Sequence, residues 1–384
     1  MLLLVATAFV LTSVVDPNRY RGKIEGIVAD LAGRPFVIQG DLAITWYPWL
    51  GIRTGAAHLD NAPGVGGPPL VEWQSISVAA KIWPLLHGEV VADRIRLQSP
   101  SIRLRRDKQG HGNWEGLGSR RVGGNSAAPG SARQVQIAGV EIREGTVDYI
   151  DEATDMHATL SNLELDVGEW RAGQSLPVHT KFLAHTQSLP PAGVWVQLDA
   201  PELAARPSPL AVTAPKLTVK VANAQADGDL SYEQTTGSHV KAHGSVVLRT
   251  PSLRELANRL ALNQSLPHDP TTLGPLELAT TWNYDNGSIA AKPLALKLDG
   301  VSFNGWLQRT APPKPMWGFE LHGDRIDLGR YVSADSQNKK PFELPVEALR
   351  AINANGSLIF DQVVLADTHM ADVRLKLQTP EQHP

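Results

Sequence analysis

From Phe36 to Leu377 the apolar residues of this sequence recur at every second position, and that period limits the fold more than any other feature. Phe36, Ile38, Leu42, Ile44 and Trp46 alternate with Val37, Gln39, Asp41, Ala43 and Thr45. The pattern returns in Ile76, Val78, Ala80 and Ile82, in Leu163, Leu165 and Val167, and in Leu217, Val219 and Val221 set against Lys216, Thr218 and Lys220. It is clearest in Leu294, Leu296 and Leu298, continues through Val301, Phe303 and Leu307 after an Asp299-Gly300 turn, and closes with Val373, Leu375 and Leu377. Successive side chains of a strand point to opposite faces, so each run makes a strand with one apolar and one polar face, the mark of antiparallel sheet. The 33 Gly and 28 Pro are spread along the chain rather than clustered, which predicts frequent turns between short strands. A mainly β chain of 384 residues is long enough for two or three domains or one elongated one.

Helical signals are few. Leu2 to Val15 carry no charge, but as a helix they would reach only about 21 Å against a hydrocarbon core of about 30 Å. No basic residue precedes the run and no small-x-small site follows it before Asp16-Pro17, so a membrane anchor (1–15) that starts upstream of this chain is the better reading than a signal peptide. Arg19, Arg21 and Lys23 follow the segment; counted alone, they would place the body on the cytoplasmic side. An amphipathic helix is expected over 16–33, with Asp16 as N-cap, Pro17 in the first turn, Tyr20, Ile24, Val28 and Leu31 on one face and Gly33 as stop. Thr250-Pro251-Ser252 opens another, with Leu253, Leu256 and Leu260 on its face, and a shorter candidate spans Leu344 to Ile352. The Gly-, Ser- and Ala-rich stretch 116–134 reads as a linker between a β unit over 34–115 and a longer β region over 135–384.

The chemistry-bearing residues make no catalytic constellation. There is no Cys, and a net charge of -3 gives no basic excess for nucleic acid. His239 and His243 fall on a predicted strand, where their rings would lie ~13 Å apart, too far to share a metal. Asp148, Asp151, Glu152 and Asp155 lack the spacing and central Gly of a calcium loop and read as a hairpin turn. Asn286-Gly287 and Asn355-Gly356 read as hairpin turns before glycosylation sites. No nucleophile elbow, phosphate loop or zincin motif occurs, so no catalytic residue, metal or cofactor is expected and the chain reads as a non-enzyme. Arg94, Arg96, Arg103, Arg105, Arg106, Lys108, Arg120 and Arg121 form a basic cluster that suits a solvated hairpin face or a contact with anionic lipid. Trp46, Tyr47 and Trp49, echoed by Trp83-Pro84, read as a corner of the β structure and as membrane-interface candidates.

Gly33-Arg34-Pro35, Gly40-Asp41-Leu42, Pro48-Trp49-Leu50-Gly51, Asn61-Ala62-Pro63-Gly64, Pro84-Leu85-Leu86 and Asn113-Trp114, in that order, resemble the start of the AsmA family of bacterial envelope proteins. LELDVGEW, ALKLDGVSFNG and GDRIDLGRYV resemble its later segments. The resemblance implies a single-pass inner-membrane protein with a periplasmic body. Its strands would curl into a U-shaped groove similar to that of chorein-like bridge proteins, which carry phospholipid acyl chains toward the outer membrane. Ile38, Leu42, Ile44, Ile76, Val78, Leu163, Leu165, Leu217, Val219, Leu294, Leu296, Leu298 and Phe303 are the candidate groove lining. Roughly 22 strands at ~4.8 Å would give a body on the order of 100 Å long. The alternation fits a closed sandwich equally, and a structural or assembly factor for outer-membrane and other envelope proteins is the alternative function.

Overall fold

A computed structural model describes residues 16–45, 50–62, 65–80, 91–117, 136–137, 139–169, 174–207, 209–234, 239–262, 266–267, 269–311, 315–331, 353–365 and 368–378. The segment 1–15, most of the linker and the Leu344–Ile352 candidate helix lie outside these residues. Among the described residues no helix is long and apolar enough to cross a membrane. The chain divides into two compact units, Met1–Gln197 and Leu198–Pro384, the boundary falling within β13 (Val194–Pro207). Both are mainly β.

The first unit opens with a 3-10 turn at Pro17–Tyr20, capped by the Asp16 carboxylate accepting from the Asn18 amide, and continues as α1 (Arg21–Ala32). Gly33 ends the helix in the left-handed region at φ 71°, as a stop residue should. Ile24, Val28 and Ala29 pack onto a buried cluster of Phe36, Ile38, Leu42 and Ala57. Tyr20, expected on that face, is instead more than half exposed, because the 3-10 turn that precedes α1 breaks the 3.6-residue period.

Four long strands follow, each broken once near its middle. They are β1 and β2 (Phe36–Ile38, Leu42–Thr45), β3 and β4 (Leu50–Thr54, Ala57–Leu59), β5 and β6 (Val71–Trp73, Ser75–Ala80), and β7 and β8 (Val91–Gln98, Ser101–Arg106). The breaks line up. Gln39 and Gly40 both donate to the Ala56 carbonyl (2.8 Å each), and Gln74 donates to Gln98 (3.2 Å). The line continues into β10 (Val140–Asp151) at Glu144 and β11 (Met156–Val167) at Asn162, both at positive φ and both at register shifts. Bulges of this kind bend a sheet while keeping its faces apart. β12 (Leu176–Thr186) pairs beyond β11, and the short β9 (Gln136–Ile137) pairs with β7.

The second unit is a run of hairpins: β14 (Leu210–Val221), β15 (Ala224–Gln234), β16 (Val240–Thr250), β17 (Leu276–Asp285), β18 (Ser288–Leu298), β19 (Val301–Arg309), β20 (Trp317–Asp327), β21 (Ala354–Leu365) and β22 (Thr368–Leu377). Each pairs with the next. Asn286 (φ 44°) with Gly287 and Asp299 (φ 51°) with Gly300 make the two tight turns expected of them. Asn355-Gly356, expected as a turn, lies inside β21: Gly356 sits under the Phe319 ring, where a Cβ would come within 2.6 Å of it. Between β16 and β17 the chain forms α2 (Leu253–Arg259), capped by Ser252 accepting from the Glu255 amide at 3.1 Å.

The expected all-antiparallel sheet is corrected at four pairings. β10 runs parallel to β7 through Val140–Arg143 and to β8 through Thr146–Asp151, β9 runs parallel to β7, and β21 runs parallel to β20. At each of these the two partners are separated along the sequence by far more than a hairpin turn, which is what parallel pairing requires.

Candidate functional site

Cα partners across a sheet share a face. In the first unit one row of such partners reads Ile44, Ile52, Val78, Ile95, Val140, Val167 and Val178, strand by strand from β2 to β12. The next reads Leu42, Thr54, Ile76, Leu97, Ile142, Leu165 and Thr180. On the other side of the line of breaks Phe36, Leu59, Val71, Ile102, Val147, Leu160 and Ala184 continue the face. Of the candidates chosen from sequence, Ile44, Ile76, Val78 and Leu165 are half-buried members of these rows. Ile38 and Leu42, each 3% exposed, lie under α1 in the buried cluster, and Leu163 is buried over Gly145.

In the second unit the registers give Val219, Ala226, Leu248, Leu278, Leu296, Phe303, Gly323, Phe360 and Val373 as one row across nine strands. Beside it run Leu217, Gly228, Val246, Thr280, Leu294, Gly305, Leu321, Leu358 and Leu375. The remaining candidates, Leu217, Val219, Leu294, Leu296, Leu298 and Phe303, all fall on this face. Gly323 lets Phe303 and Phe360 meet edge to face across β20, centroids 6.0 Å apart; a Cβ there would lie 2.9 Å from the Phe360 ring. Apart from Leu294 and Phe360, the large apolar residues of both rows are only half-buried. Among the described residues these strands make their substantial contacts with sheet neighbours, not with a second layer. Sequence reading passed over Leu248, Leu278, Trp282 and Phe319, which share this face. The alternation in LELATTWNYD and WGFEL was the signal for Leu278, Trp282 and Phe319.

The opposite face is polar and self-neutralising. In the second unit Arg249 bridges Asp227 (3.7 Å) and Glu277 (3.2 Å). In the first, Arg94 pairs with Asp166 (3.1 Å), Arg96 with Glu141 (3.1 Å), Arg103 with Glu72 (2.9 Å) and Arg105 with Glu152 (3.9 Å), whereas Arg106, paired with Asp151 (3.5 Å), ends the strand on the side of Ile102 and Val147. Arg120 and Arg121 lie outside the described residues. That pairing favours the solvated-face reading of the cluster. The acidic group forms the β10–β11 turn; burial pushes the Asp151 carboxyl up, but the Ala153 and Thr154 amides and Arg106 outweigh it and hold the carboxyl below its ordinary range. His239 is engaged with Asp285 at 2.7 Å.

Two polar staples hold the edges of these faces. Arg34, 4% exposed, donates to the Asn113 carbonyl (2.6 Å) and the Glu115 carbonyl (2.7 Å). The buried Asn113 amide donates to Asn61 Oδ1 (3.0 Å) and the Arg103 carbonyl (2.9 Å) while its oxygen accepts from the Arg105 amide (2.9 Å). Three motifs spread over 80 residues thus converge on one knot. In the second unit Arg330 donates to Asp269 (3.1 Å) and Thr271 (2.9 Å), and Tyr331 donates to Asp299 (2.6 Å), which also accepts the Leu273 and Gly274 amides (2.8 Å each). A cleft of about 670 Å³ beside this clamp has Pro251, Pro275 and Leu276 in its walls as well as Arg249, Glu277, Lys297 and Asp299, and Arg249 and Glu277 are already paired with each other. Trp46, Tyr47 and Trp49 lie outside the described residues.

A model of the AsmA family matches residues 1–244, more than half of the chain. The AsmA family protein YhjG of Escherichia coli (strain K12) is 28% identical over an alignment of 125 residues that covers 29% of this chain and 18% of that protein. The aligned part therefore spans less than a fifth of that relative's length. No solved structure matches the chain.

Proposed function

This chain belongs to the AsmA family, and from that premise we propose that its apolar sheet faces carry the acyl chains of phospholipid in the bacterial envelope. The observation that supports this best is the pair of apolar rows registered across nine strands of the second unit and left half-buried. A single-layer sheet that exposes such rows holds unsatisfied apolar surface, and patches of that extent mark binding sites. An acyl chain of about 16 carbons costs ~12 kcal/mol to bring into water at ~0.8 kcal/mol per methylene. A continuous apolar floor removes most of that barrier at each step along it. Movement along such a floor needs no bond made or broken, so the proposed activity is conduction rather than catalysis.

In this reading the uncharged segment 1–15 belongs to an inner-membrane anchor, the body lies in the periplasm, and the lipid supplied supports the outer membrane. α1 then closes the first edge of the face by covering Ile38 and Leu42. Mass spectrometry of the full chain, purified and freed of detergent, tests the proposal. One or more phospholipid molecules per chain is the expected result. A lipid-free, detergent-indifferent protein that instead retains outer-membrane protein clients would contradict it and favour an assembly factor.

A further inference from the structure

One rim of the second unit's apolar face differs in kind from its interior. Where the inner rows carry Leu, Val and Phe, the row at that rim reads Tyr232, Ala242, Tyr284, Ile289, Arg309 and Trp317 from β15 to β20. Arg309 and Trp317 are Cα partners, and the guanidinium lies 5.9 Å from the indole centroid. The arginine thus stands on the apolar face, within cation–π reach of the indole and outside any ion pair. Among the described residues no carboxylate lies within ion-pair distance of it, whereas Arg249 on the opposite face has two.

Tyr and Trp favour a boundary where the ring body meets apolar groups and the polar tip meets water. An arginine in such a row cannot be roofed by a second apolar layer without the large cost of burying an unpaired charge. Its planar fork matches a phosphate bidentately, and the neighbouring indole attracts the guanidinium and limits where it can go. An amphiphile whose tails lie on the inner rows and whose anionic head sits at this rim satisfies both chemistries at once.

We propose that Arg309, braced by Trp317, recognises the phosphate head of an anionic acyl lipid whose tails lie on the inner apolar rows of the second unit. This rests on the acyl-binding reading above and adds a head-group preference and an orientation to it. The full chain is titrated, in calorimetry, with dioctanoylphosphatidylglycerol, with dioctanoylglycerol, which has the same tails and no phosphate, and with inorganic phosphate. Roughly tenfold tighter binding of the phosphatidylglycerol is expected, the usual order for a charge-assisted contact, with no measurable binding of phosphate alone. Arg309→Gln abolishes the preference, so that the two amphiphiles bind alike, and Arg309→Lys, which keeps the charge without the planar fork, retains part of it.

Equal affinities in the wild-type chain, or a full preference surviving in Arg309→Gln, overturns the head-group assignment while leaving acyl binding in place. Binding of neither amphiphile overturns both together. Phosphate binding as tightly as the lipid, and lost in Arg309→Gln, overturns the amphiphile in favour of a free-anion site.

Discussion

Arg34 shows what a single side chain holds in this fold. It reaches from the first turn after α1 to the carbonyls of Asn113 and Glu115, so the loop after β8 is fixed by a residue 79 positions earlier. Burial pulls its pKa below the ordinary value, yet a guanidinium remains charged at neutral pH. Arg34→Met leaves the buried Asn113 carbonyl and the part-buried Glu115 carbonyl without this donor, and the expected loss is about 1–3 kcal/mol, read from the urea midpoint of the full chain. The order of the Gly33-Arg34-Pro35, Asn61 and Asn113-Trp114 motifs was legible in the sequence, and their convergence was not. Alternation encodes which face a residue takes, whereas a knot between three loops depends on how the breaks in four strands line up. Arg309 escaped sequence reading for a related reason: its place on the apolar face follows from its register with Ile289 and Trp317, and the local string WLQRT shows only a polar strand end.

At the scale of elements, α1 does more than bury an apolar stripe. The amides of Ile38 and Leu42, on the outer strands β1 and β2, donate to Glu25 Oε1 (2.8 Å) and Asn18 Oδ1 (3.1 Å) on the helical segment. An open strand edge invites pairing with another chain, and here two side chains occupy it. Asn18→Ala combined with Glu25→Ala should cost about 1–3 kcal/mol and cause self-association visible by light scattering, while the wild-type chain stays at one size. The clamp between Arg330 and the segment before β17 makes a pH prediction. Hydrogen bonds from Thr271, then the Arg330 guanidinium, lower the Asp269 carboxyl from 3.8 to about 2. A depressed carboxylate stabilises the fold above its unfolded value and ceases to as it is protonated, so this contribution is complete above pH ~4 and disappears as the pH falls toward ~2. Arg330→Gln should shrink that part of the stability profile without removing it, since the Thr271 bonds remain, as measured by urea unfolding at stepped pH. Helix limits were legible here because Asp16, Gly33 and Ser252 are capping residues with local causes. The parallel pairings of β7, β8 and β9 and of β20 with β21 were not, since a strand's period says nothing of the direction of its partner.

For the whole molecule, the account concerns two mainly β units, each with one apolar face and one charged face among the described residues. Six candidates from sequence, Leu217, Val219, Leu294, Leu296, Leu298 and Phe303, share the apolar face of the second unit because period two and register agree there. In the first unit, Ile38 and Leu42 obey the same period but lie beneath a helix, which alternation has no means of announcing. The central claim is that lipid tails occupy the apolar face and leave the polar face alone. Leu296 and Lys297 are adjacent residues on opposite faces of β18, facing Phe303 and Ser302 respectively. A photoreactive residue placed at each position in turn, irradiated in intact cells and followed by mass spectrometry of the adducts, separates the two faces within one strand. Phospholipid adducts at position 296 and none at 297 is the predicted result; adducts equal at both positions, or absent at 296, would contradict the account.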